Sequence, residues 1–138
     1  MQIAPIHYKS IFIHILVPIL VGTTIYALWR GINLVDMLPL LSSKPPEWII
    51  YNLPDGLWFY ALLSSIYLIW EENFPVHFIL WLLITVILSC LMEVMQAYNF
   101  LNGTFDWKDL LAYMVAGIVS IFQFRNKRYR SSQLNSKK

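Results

Sequence analysis

Four acids interrupt otherwise apolar stretches of this chain: Asp55, Glu93, Asp106 and Asp109. Glu93 and Gln96 are three residues apart, so on a helix they share one face, and Asp106 and Asp109 repeat that spacing. Carboxylates gathered in an apolar setting can hold an amine, work as an acid and base pair, or bind a divalent cation. All-oxygen donors of this kind favour Mg²⁺ over zinc. Arg30 is the cation expected beside them, and an Arg30–Glu93 pair is the first contact the spacing suggests. A blander reading covers three of the acids. Asp55, Asp106 and Asp109 each fall in the first turn of an expected helix, where an acid satisfies free N–H groups and the helix dipole without any chemistry. Glu93 falls near the end of its helix, where the dipole disfavours an anion, so capping does not account for it. Gln96 has its own structural reading, as a hydrogen-bonding link between helices.

The elements that position these residues follow from composition. The chain has 138 residues, 58% hydrophobic, 16% aromatic and 13% charged, against roughly 25% charged in an ordinary soluble domain. Eighteen charged side chains cannot solvate the surface of a soluble domain of this size. The expected fold class is an all-α membrane protein with four transmembrane helices, because a span needs about 20 apolar residues to cross about 30 Å of hydrocarbon. The spans are placed at about 10–29, 53–70, 75–98 and 107–124, within one domain that ends in a basic tail, 125–138. Asn52 can cap the second span and Pro54 suits its first turn. Trp48 and Tyr51 suit a membrane interface.

Charge sets the expected orientation. Arg125, Lys127, Arg128, Arg130, Lys137 and Lys138 hold six of the ten cations and, with Lys9, mark the terminal side. Both termini are therefore expected to be cytoplasmic, with the four acids gathered on the outer face. The basic run directly abuts an apolar segment, so it reads as a membrane flank and not as a nucleic-acid site. Lone Cys90 excludes an intrachain disulfide and is expected as a buried thiol. His14 and His77 fall at the ends opposite the acids and read as interfacial hydrogen-bonding groups, and Ser64-Ser65 reads as a close helix contact. The chain carries no Gly-rich phosphate loop, zinc-ligand spacing or serine-hydrolase motif.

Glu93-Val94-Met95-Gln96, followed by Gly103-Thr104-Phe105-Asp106-Trp107-Lys108-Asp109-Leu110-Leu111 and Gly117, resembles the VanZ-like family of small bacterial membrane proteins. The resemblance covers about the last 50 residues in sequence and the whole chain in span layout. It implies a cell-envelope role in the bacterial cytoplasmic membrane, of the kind associated with teicoplanin resistance. Glu93, Gln96, Asp106 and Asp109 are the positions it marks. Two places depart from the family pattern: Gly103-Thr104 stands where an arginine is usual, and Tyr113 where an asparagine is expected. Ligand details therefore do not carry over.

The expected function is a non-enzymatic envelope protein whose outer acidic pocket engages an amphiphile: a lipid, a lipid-linked wall component or a glycopeptide. Glu93, Gln96, Asp106, Asp109, Asp55, Arg30 and Tyr113 are the expected binding residues, with Trp58 and Trp107 offering apolar surface. No organic cofactor is expected. Two other classes compete with this reading: a metal-dependent enzyme acting on a lipid head group, and a structural subunit whose acids only cap and pair.

Overall fold

The computed structural model describes residues 8–31, 45–70, 76–101 and 105–135, with side chains through Phe124. Everything regular among them is helical. Helix α1 runs Tyr8–Arg30, α2 Glu47–Tyr51, α3 Leu53–Ile69, α4 Val76–Ala97 and α5 Trp107–Asn135. α1, α4 and the Trp107–Phe124 part of α5 are long and apolar enough to cross a membrane, while α3 is a shorter apolar helix. At 1.5 Å per residue α3 measures about 25 Å, slightly less than the hydrocarbon thickness. α5 does not stop where its apolar run ends at Phe124 but continues through the basic stretch to Asn135.

α1 contains a wide π-helical turn at Phe12–Leu16, and a second, Ala27–Gly31, closes it and reaches one residue beyond Arg30. The first lies just before Pro18, which has no N–H to give to the His14 carbonyl and whose ring crowds it, so a local widening of the helix relieves both faults. α4 ends in a Schellman motif. The Phe100 N–H donates to the Met95 carbonyl at 2.9 Å and the Asn99 N–H to the Gln96 carbonyl at 3.0 Å. Asn99 takes the left-handed conformation this motif requires, with φ 59°.

α3 is the central helix. Phe59, Ala61, Leu63, Ser64 and Ile66 are all buried on it, whereas α4 buries only Phe78, Thr85 and Glu93, a single line down one side. α3 and α5 run parallel, as successive contacts show: Asn52 with Asp109, Gly56 with Ala112, Leu63 with Gly117, and Tyr67 stacked on Phe124 at 4.9 Å. Phe59, Leu63 and Ala116 form the core, flanked by Tyr60, Leu82 and Tyr113. α1 lies antiparallel on another side of α3. A side-chain carbon at Gly22 would sit 2.9 Å from the Trp58 Nε1, so only glycine allows that approach.

One expectation about a single residue is corrected. Cys90 is exposed on the α4 surface, not buried, because it lies off the line through Phe78, Thr85 and Glu93. His14 makes a hydrogen bond, as its reading requires, and does so buried against α3: its Nδ1 lies 2.7 Å from the Tyr60 hydroxyl. Ser64 is fully buried on α3, and Ser65 donates to the Ala61 carbonyl within the same helix.

Candidate functional site

The acids come together at the N-terminal ends of α3 and α5, with Glu93 supplied by α4. Asn52 organises the cluster. It was expected to cap α3, but its side chain makes no cap bond there. Its Nδ2 instead donates to Asp109 Oδ1 at 2.7 Å and to Asp106 Oδ2 at 3.2 Å. Asp106 does cap α5, its Oδ1 accepting the Lys108 backbone N–H at 3.0 Å. That bond, together with the donation from Asn52 and the nearby Lys108 charge, holds the Asp106 carboxyl below its usual range.

Glu93 is 3% exposed. Its Oε1 accepts from the Tyr113 hydroxyl at 3.2 Å, and its Oε2 is buried without a hydrogen-bond partner. Tyr113 is held in turn by the Phe59 ring, 5.0 Å away. Asp55 is half-buried, within electrostatic reach of Asp109, Glu93 and Arg30.

Arg30 does not pair with Glu93. Its guanidinium carbon lies 5.2 Å from the centre of the Tyr26 ring and 5.3 Å from that of Tyr51. Two aromatic faces thus hold the cation, and it acts on Asp55 and Asp109 only through space. Gln96 is half-buried and makes no side-chain hydrogen bond among the described residues. Four carboxyl groups against Arg30 and Lys108 leave the site formally negative by two charges. Among the described residues, no three His, Cys, Asp or Glu side chains are grouped so as to hold a metal ion. The acids are arranged around an amide and a phenol, not around a common centre.

Beside this cluster a groove of about 550 Å³ lies over α3, between α1 and α5. That is within the roughly 300–1,000 Å³ typical of ligand sites. Asn52, Lys108 and Trp48 stand at one end; Gly56, Ala112 and Ala116 line its middle; Pro18, Tyr60 and Val119 line its other end. Small residues let α3 and α5 meet closely along its middle: a side-chain carbon at Gly56 would sit 3.2 Å from the Ala112 Cβ. Asn52 belongs to both the groove and the acid cluster. Trp58 lies instead against Tyr26 and Gly22, Tyr113 faces Glu93, and Trp107 is exposed, so none of these three lines the groove.

No family model, curated protein or solved structure matches this chain.

Proposed function

We propose that this chain is a VanZ-like, four-span protein of the bacterial cytoplasmic membrane that binds one amphiphile, holding its polar head at the Asn52 cluster and a hydrocarbon chain in the groove. The observation that carries this reading is the junction at Asn52, where an apolar groove meets the acid cluster through one side chain. The groove spans Lys108 to Val119 on α5, about 16 Å at 1.5 Å per residue, or half the hydrocarbon thickness. A groove of that length in a membrane matches a chain from a single leaflet.

The bias of cations toward the termini supports cytoplasmic ends and an outer site. α3 is short for a span, and modest local thinning accommodates the difference. The formal charge of minus two favours a head bearing an amine, as in a glycopeptide or an amine-bearing lipid or lipid-linked wall precursor.

Mass spectrometry of amphiphiles that co-purify with the full chain tests the proposal. Val115→Phe fills the groove from its exposed wall and should abolish the enriched species, and Glu93→Ala should change glycopeptide susceptibility without lowering abundance. An identical lipid profile in folded wild-type and Val115→Phe protein would overturn the reading.

A further inference from the structure

We propose that Tyr60, pinned by His14, is the floor of the groove and sets the length of hydrocarbon chain it accepts. This rests on the amphiphile-binding reading above. On α3 Tyr60 is the last residue to line the groove, and on the facing wall Val119 is the last from α5.

The floor is braced. The Tyr60 hydroxyl lies 2.7 Å from His14 Nδ1. His14 is itself buried, with its ring 5.5 Å from Phe124 and its Nε2 3.5 Å from Gln123 Nε2. The wide turn Phe12–Leu16 carries His14 and ends just before Pro18, the α1 residue in the groove wall. His14 therefore sits about one turn beyond the groove, with fully buried Ser64 one turn past Tyr60 on α3. A chain that ran deeper would have to lift Tyr60 off His14, breaking a part-buried hydrogen bond.

The accepted length follows from geometry. An extended hydrocarbon advances about 1.25 Å per carbon, given C–C bonds of about 1.5 Å at about 111°. From Asn52 at the head to Tyr60 at the floor is about 12 Å at about 1.5 Å per residue, which takes about 10 carbons. A longer chain should be disfavoured by about fivefold, the weight of one net hydrogen bond.

The test is native mass spectrometry of the full chain in maltoside micelles, offered an equimolar series of alkyltrimethylammonium amphiphiles of about 6 to 16 carbons, bracketing the fitted length. Wild type should peak near the fitted length. Tyr60→Ala should move the optimum to longer chains, and Tyr60→Phe should keep the optimum while weakening discrimination against long chains. Val119→Phe, which leaves the His14–Tyr60 contact in place, should move the optimum to shorter chains. If the series binds with the same length profile in wild type, Tyr60→Ala and Val119→Phe, the length role is overturned while amphiphile binding stands. If no member binds the wild-type protein, the binding reading falls, and this inference with it.

Discussion

Removing the Asn52 side chain separates the organising role of this residue from mere burial. In Asn52→Ala, Asp109 loses a donor at 2.7 Å in a position that is 9% exposed, whereas Asp106 loses one at 3.2 Å and keeps its bond from Lys108. A buried hydrogen bond to a charged group is worth about 1.5–3 kcal/mol, so the Asp109 bond dominates and the expected loss is about 2 kcal/mol. For a chain of this size that corresponds to about 6–8 °C in melting temperature. Tryptophan fluorescence during thermal unfolding in maltoside, applied to Asn52→Ala, Asp109→Ala and the double variant, closes a mutant cycle. The two residues should couple by at least about 1.5 kcal/mol, since Asn52→Ala leaves the Asp109 carboxyl buried without this donor and Asp109→Ala leaves Asn52 only its longer bond to Asp106. The same cycle between Asn52 and Asp106 should give less than about 1 kcal/mol. Single losses that add to within about 0.5 kcal/mol for the Asn52–Asp109 pair would refute the reasoning.

Other outcomes follow from local geometry. Gly22→Ala drives a methyl group against the Trp58 indole and should destabilise the protein by about 1–3 kcal/mol; thermal unfolding reads it, and Trp58→Leu in the same chain should recover part of the loss. Asn99→Val should cost about 1–2 kcal/mol because a branched residue resists the left-handed conformation, whereas Asn99→Gly should be close to neutral by the same measurement. Asp106→Ala removes the α5 cap and should cost about 1 kcal/mol at neutral pH. The Asp106 carboxyl is held below its unfolded value, so its contribution is fully present above about pH 4 and is lost as pH falls through the folded value. The gap in melting temperature between wild type and Asp106→Ala should therefore close in strong acid and stay constant from about pH 5 upward.

The helical, apolar character of the chain was legible because hydrocarbon tolerates few backbone arrangements and the charges are so sparse. Glu93 was legible as a residue needing a partner, since an acid at that end of an apolar helix has to be satisfied by something, whereas a first-turn position accounted for Asp109 without one. Which partner was not legible. Asn52 sits before a helix and local rules assign it to a cap, yet its acceptors come from residues 54 and 57 positions away. Arg30 was sought beside an acid, and two aromatic faces compete for it instead. The groove was not legible at all. A groove is volume missing between helices that are distant in sequence, and no residue type announces it. The brace between His14 and Tyr60 was hidden for the same reason: it joins two helices whose register follows from Gly22 and Trp58.

The bond between Asn52 and Asp109 also bears on how the protein is made. Its two ends lie 57 residues apart, which a ribosome adding about 5–20 residues per second covers in about 3 to 11 s. During that interval the short central helix has already been synthesised, and the amide at its tip lacks the acceptor it will finally use. On the membrane reading proposed above, the insertion machinery therefore has to shelter an incomplete bundle until α5 arrives. Truncation just before Trp107 should leave a nascent product that membrane quality control removes.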